Sequence, residues 1–101
     1  MREGKEPMLM KDAKAALLRP EVAEFAYEME RKLRANEHRG GWKRCWGEYL
    51  SSELSKNLSK LNAALKNKNK SEVLRRSVNI GNYAMMIADN YGRLLEQEVQ
   101  K

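Results

Sequence analysis

Apolar residues recur at spacings of three and four over the first third of the chain, which is the pattern of one helical face. The series consists of Val22, Phe25, Ala26, Met29 and Leu33. Charged side chains occupy most of the intervening positions, so the series predicts an amphipathic helix over residues 20–36. Pro20 suits the first turn of that helix, because its ring fixes a backbone angle that helices use.

A row of leucines predicts a second helix over residues 47–66. The row consists of Leu50, Leu54, Leu58, Leu61 and Leu65. The lysine- and asparagine-rich run over 66–70 predicts a polar turn, which is either a solvated loop or a contact for phosphate. Ser71 is the expected N-cap of a last helix, which reaches about Gly92 and extends towards Val99.

The last predicted helix is apolar on nearly every face between Ile80 and Ala88, with Asn82 as the exception. Helices of this kind are buried on all sides. In so short a chain a second subunit is the expected cover, and burial inside a monomeric bundle is the alternative. The adjacent Met85 and Met86 are interpreted as adaptable packing residues and not as metal ligands.

The remaining segments complete an all-α prediction with one domain. Residues 1–10 are expected to be a flexible arm, and residues 11–18 a short helix that ends before Pro20. The break at residues 40–41 precedes an irregular segment over 42–46. Because no strand alternation or domain boundary is visible, residues 11–101 are predicted to form one bundle of about three long helices and the short N-terminal helix.

Composition narrows the class of partner. The chain has 101 residues and a net charge of +6, which favours an anionic partner such as a nucleotide, a nucleic acid or an acidic protein. Its single Cys45 excludes an internal disulfide and suits a reducing cytoplasm. No apolar run approaches the ~20 residues of a membrane span. A domain this short has a marginal core, so oligomerisation is expected.

Three stretches resemble the MazG-like nucleotide pyrophosphohydrolases, especially the short forms that phages encode. They are Arg19–Val22, His38–Trp42 and Asn82–Asp89. The resemblance covers about residues 19–92. It implies an all-α MazG-like bundle that assembles as a homodimer or homotetramer, and a cytoplasmic location, in the host cytoplasm if a phage encodes the chain.

The metal-binding acids of that family have no counterpart in this chain. The family carries Glu-Glu-x-x-Glu on one helix and Glu-x-x-Asp on the next. In that register the five positions hold Lys56, Asn57, Lys60, Arg76 and Asn79. Lysine and arginine are hydrogen-bond donors only and cannot bind Mg²⁺, which takes oxygen ligands. The resemblance therefore implies a nucleotide-shaped site without a metal, a cofactor or catalysis.

Helical geometry predicts that the replaced positions lie together. At about 100° per residue, Lys56, Asn57, Lys60 and Glu53 fall in one sector of their helix. Arg76, Asn79 and Asn82 form a row on the next helix, with Tyr83 beside them. We expect the two polar faces to converge across a groove between these helices. There the cations would bind phosphate, and the amides would contact a base or ribose.

His38–Trp42 is a second candidate element. Its glycines allow close approach of the backbone to a ligand. Arg39 could reach phosphate, and Trp42 either stacks on a base or anchors the loop in the core. Trp46 is expected in the core. His38 is interpreted as structural.

Other interpretations remain open. The replaced residues could simply be solvated, with Glu53 and Glu72 forming ion pairs along their own helices. A relocated metal site at Glu53, Glu72 and Asp89 would leave an active pyrophosphohydrolase. A helical protein that grips and inhibits a host protein is a further alternative. Nucleic-acid binding is not expected, because no recognised motif supports it. The preferred hypothesis is sequestration of a nucleotide or a nucleotide-derived signal, such as a phage would use against host defence.

Overall fold

The computed structural model describes residues 17–92, and all regular structure within that range is helical. This confirms the all-α class. Three long helices follow one another: α1 at Pro20–Ala35, α2 at Gly47–Lys66 and α3 at Lys70–Ile87. The arm predicted over 1–10, and most of the short helix predicted over 11–18, lie outside the described residues.

The predicted boundaries of α1 are nearly correct. Pro20 occupies the first turn after an extended Arg19, as the restriction on residues before proline requires. The helix ends at Ala35 with Asn36 as its C-cap, and a short 3₁₀ turn at Glu37–Arg39 follows. Gly40 then adopts a φ of +86°, a left-handed conformation that favours glycine. This glycine redirects the chain into the irregular segment before α2.

The turn between α2 and α3 corrects one prediction. Asn69, and not Ser71, caps α3: its side-chain oxygen accepts a hydrogen bond of 3.2 Å from the backbone N–H of Glu72. Asn69 has the extended backbone of a cap, whereas Ser71 already belongs to the helix. The Ser71 hydroxyl lies 3.1 Å from the same Asn69 oxygen. Asn69 and Ser71 are both residue types that cap helices well, and the backbone conformation of this turn places Asn69 at the cap position.

α3 is the central element and packs against both other helices, most extensively against α2. Its contact with α1 depends on Gly81, because a Cβ atom there would lie 3.0 Å from Cε2 of Phe25. At its C-terminal end, the α-helix continues as a π-helical turn at Ala88–Gly92. The predicted extension towards Val99 lies outside the described residues.

The described part of the chain has a small core. Its fully buried apolar residues are Leu50, Ala64 and Val78, and two asparagines, Asn57 and Asn82, are buried among them. No residue of α1 is fully buried. From Ile80 to Ala88 only Asn82 is fully buried, and Ala84 is exposed. Within residues 17–92 of a single copy, the apolar stretch of α3 is therefore only partly covered.

Several large apolar side chains lie at the surface. Trp46 is 75% exposed, so the prediction that it is a core residue is wrong. Two leucines of the α2 row, Leu58 and Leu65, are 46% and 55% exposed. α3 covers only one side of this row, because the row is wider than the strip of α2 that faces a single neighbouring helix. Among the helices of residues 17–92, none is long and apolar enough to cross a membrane.

Candidate functional site

The contact between α2 and α3 has a polar side chain at its centre. Asn57 is only 6% exposed and lies on the same face of α2 as Leu50 and Ala64, seven residues away in each direction. Its Oδ1 accepts hydrogen bonds from Nη1 of Arg76 at 3.1 Å and from Nδ2 of Asn79 at 3.0 Å. Its Nδ2 donates to the backbone oxygen of Glu53 at 2.9 Å. Three of the predicted site residues, Asn57, Arg76 and Asn79, are thus joined by direct hydrogen bonds.

The guanidinium of Arg76 is also engaged by its own helix. Its Nε donates to Oε1 of Glu72 at 2.9 Å. This hydrogen bond is the main reason that the pKa of Glu72 lies below its usual value, and a contact from Arg75 adds to the effect. Arg76 therefore serves two acceptors within the protein before any ligand is present.

The two lysines of the predicted site lie elsewhere. Lys56 and Lys60 are exposed, and Nζ of Lys56 lies 3.1 Å from Oε2 of Glu53 on the same helix. The Lys56–Glu53 and Arg76–Glu72 pairs are the i, i+3 and i, i+4 contacts expected from the sequence. The polar faces of α2 and α3 do converge, but they meet in direct contact and leave no groove at that point.

An open groove of about 850 Å³ lies instead between α1 and α3. The loop after α1 and the first turn of α2 close its other sides. Five predicted residues line it: Arg39, Trp42, Asn79, Asn82 and Tyr83. The other five are not among its lining residues: Glu53, Lys56, Asn57, Lys60 and Arg76. Asn79 joins the two sets, because it lines the groove and donates to Asn57.

The groove combines charged, aromatic and amide side chains. Three cations line it, Lys32, Arg39 and Arg75, together with the acids Glu30 and Glu37. The aromatic side chains are Trp42, Tyr49 and Tyr83. Burial raises the pKa of the Tyr83 phenol above its usual value, and the charge of Glu53 adds to this shift. The hydroxyl of Tyr83 is therefore protonated and able to donate at neutral pH.

The loop around Trp42, which forms one wall of the groove, is attached to the end of α3. Nε1 of Trp42 donates to Oδ2 of Asp89 at 3.0 Å, and Lys43 forms an ion pair with the same oxygen. Nδ2 of Asn90 donates to the backbone oxygen of Trp42 at 2.9 Å. Trp42 is half-buried, so it both anchors the loop and lines the groove. These long-range contacts give Asp89 and Asn90 positioning roles that helical spacing alone did not indicate.

Glu53, Glu72 and Asp89 do not assemble into a relocated metal site. Glu53 and Glu72 pair with cations on their own helices, and Asp89 binds the loop at Trp42 and Lys43. Among residues 17–92, no three histidine, cysteine, aspartate or glutamate side chains lie close enough to share a metal ion. Cys45 is a half-buried free thiol on the groove wall, and His38 is exposed.

No protein-family model, curated protein or solved structure matches this chain.

We expect acid to release the loop around Trp42 from the end of α3. Hydrogen bonds from Lys43 and Trp42 hold the pKa of Asp89 below its usual value of 3.8. The stabilisation by Asp89 is therefore complete above about pH 3.8 and is lost as the pH falls through the lower pKa of the folded state. We expect tryptophan fluorescence to change in this acidic range in the wild type, and Asp89→Asn to lack that transition. Identical acid titrations of the two proteins would contradict this role for Asp89.

Proposed function

We propose that this chain is a non-catalytic, MazG-like protein that binds and holds a nucleotide or a nucleotide-derived molecule without a metal ion. The observation that carries the proposal is the direct contact of Asn57 with Arg76 and Asn79. In the MazG-like pattern these positions hold carboxylates around a cation. Here an amide oxygen and two donors satisfy one another, so helix pairing at this point requires no ion.

The groove between α1 and α3 supplies the binding surface of the proposal. Its volume of about 850 Å³ falls within the roughly 300–1,000 Å³ usual for small-molecule sites. Trp42, Tyr49 and Tyr83 offer aromatic surface for a base. A nucleotide is the class of ligand that uses aromatic contacts and cationic groups together.

In this proposal, the cations that line the groove bind the phosphate. Arg39 and Arg75 line it, and a guanidinium can contact two phosphate oxygens at once. Lys32 adds a third positive charge. Arg75 donates to Glu72 and is 57% exposed, whereas Arg76 donates to both Glu72 and Asn57 and is 17% exposed, so Arg76 is less available. From the sequence, the residues at the replaced acid positions were predicted to bind phosphate. The basic residues that line the groove are a different set.

The biological setting follows from the proposed class. A protein that holds a nucleotide without converting it lowers the free concentration of that molecule. Sequestration of a nucleotide immune signal by a phage protein in the host cytoplasm is the setting that we propose. Catalysis has no part in it, because the lysine and arginine side chains at the former acid positions cannot bind Mg²⁺.

The proposal includes assembly with a second copy of the chain through α2. Leu54, Leu58, Leu61 and Leu65 follow the alternating spacing of four and three that pairs helices in coiled coils. At about 100° per residue, the five charged residues of α2 lie on the opposite side of the helix from this row. They are Glu48, Glu53, Lys56, Lys60 and Lys66. Two copies of a chain with net charge +6 can therefore meet along this neutral row without placing like charges together.

The same exposed apolar surface supports the competing function of a host-protein inhibitor. Trp46 and Tyr91 are exposed beside the first turn of α2, and both border a shallow depression with Ser51 and Ser55. An exposed apolar surface of this kind can bind a host protein as well as a second copy of this chain. The two functions differ in whether a nucleotide binds and in whether the pure protein self-associates.

Nucleotide binding should persist in EDTA and depend on the basic residues of the groove. We expect calorimetry against nucleoside mono- and triphosphates, cyclic dinucleotides and ADP-ribose to identify a ligand. Arg39→Ala and Arg75→Ala should each weaken its binding about tenfold, because each removes a charged hydrogen bond to phosphate. Lys60→Ala removes an exposed charge outside the groove and serves as the matched control. Absence of all binding in EDTA would contradict the proposal, as would equal losses in Lys60→Ala and the groove variants.

Assembly should depend on the exposed side of the leucine row. We expect native mass spectrometry to show a dimer or tetramer for the wild type, and monomers for Leu58→Lys combined with Leu65→Lys. The control is Ser52→Lys combined with Ser59→Lys, which adds the same charge at the same spacing on the opposite side of α2. A monomeric wild type would rule out the second copy, and an assembly that survives the leucine changes would place the interface elsewhere.

A further inference from the structure

One buried polar atom of the groove has no partner. Asn82 lies on α3, lines the groove and is 3% exposed. Its Oδ1 is buried and accepts no hydrogen bond from any described residue. Buried acceptors in native proteins are almost always satisfied, so an unsatisfied one points to a donor that arrives from elsewhere. The groove is the open space that Asn82 lines.

The hydrogen bond of the amide nitrogen fixes the orientation of the Asn82 side chain. Nδ2 donates to the backbone oxygen of Met29 on α1, at 3.2 Å. The opposite orientation would place Oδ1 against that carbonyl oxygen, and two acceptors cannot hydrogen-bond to each other. The amide therefore keeps its nitrogen towards α1 and leaves its oxygen for another donor.

Asn79 repeats this arrangement one turn earlier on the same helix. Its Nδ2 donates to Oδ1 of Asn57 at 3.0 Å, so its amide nitrogen is directed towards α2. No described residue donates to the oxygen of Asn79, and Asn79 also lines the groove. Residues three apart on a helix rise by about 4.5 Å. Two neighbouring residues of the groove lining thus carry amides whose nitrogens already have partners and whose oxygens have no donor among the described residues.

We propose that Asn82 recognises the exocyclic amino group of a nucleobase, as adenine, cytosine or guanine carries. This inference rests on the proposed function and specifies how the same groove holds its ligand. The amino group donates to Oδ1 of Asn82, and Asn79 provides a second acceptor for the same edge of the base. The phosphate contacts Arg39 or Arg75, which also line the groove, because guanidinium groups bind anions and amide oxygens repel them. A base with a carbonyl in place of the amino group leaves two acceptors facing each other.

The test compares matched nucleotides on the unaltered protein, because substitution of Asn82 would also remove its bond to α1. The pairs are AMP with purine riboside 5′-monophosphate, CMP with 2-pyrimidinone riboside 5′-monophosphate, and GMP with IMP. Each second member lacks the amino group. Calorimetry in EDTA should show that the amino nucleotide binds more tightly, by about 5- to 100-fold, in the pair that the groove accepts.

The outcomes separate this inference from the proposed function. Equal affinities within the pair that binds would overturn the role of Asn82 while leaving nucleotide binding intact. Binding of UMP as tight as that of every amino nucleotide would also overturn it. If no ligand of any kind binds in EDTA, the proposed function itself fails and the inference fails with it.

Discussion

The hydrogen bonds of Asn57 determine how α2 and α3 pair. This side chain lies between Leu50 and Ala64 on the buried face of α2, where a hydrophobic residue would otherwise be expected. It accepts from Arg76 and Asn79 and donates to the backbone of Glu53. A shift of one helix along the other would separate Oδ1 of Asn57 from its donors on α3, at a cost of about 1–3 kcal/mol for each buried group left without a partner. A single buried asparagine can fix helix register in this way.

A second asparagine has the corresponding role on the other side of α3. Asn82 donates to the backbone of Met29 and so ties α1 to the central helix, while Gly81 lets Phe25 approach closely. The position of the groove follows from these two contacts, because α1 and α2 flank α3 and the loop around Trp42 closes one end. The polar bonds that organise the fold are thus also the bonds that direct the amide oxygens of Asn79 and Asn82.

Local features of the structure were predictable from sequence, and long-range ones were largely not. The spacing of apolar residues, Pro20 and the glycines at 40–41 were enough to place α1 and α2 almost to the residue. The convergence of Asn57 with Arg76 and Asn79 also followed from helical geometry. Spacing along one helix, however, does not show which face its neighbour covers. The groove was therefore expected between α2 and α3, although those helices pack directly and the open space lies beside α1.

The wrong predictions for individual residues have the same physical origin. Trp46 was expected in the core as an anchor of the irregular loop, yet it precedes α2 on a side that no described element covers. Ser71 and Asn69 are both good capping residues, and only the backbone of the turn distinguishes them. The pairing of Asp89 with Trp42 joins residues 47 positions apart, so no local pattern could reveal it.

We propose that an amide and its donors have taken the place of a metal site between α2 and α3. A titration of Mn²⁺ into the purified protein, followed by electron paramagnetic resonance of the free ion, tests this proposal. We expect the signal of free Mn²⁺ to be the same with and without protein at neutral pH. A stoichiometric loss of that signal, reversed by Mg²⁺ and removed by Asn57→Leu, would show a working metal centre and contradict the proposal.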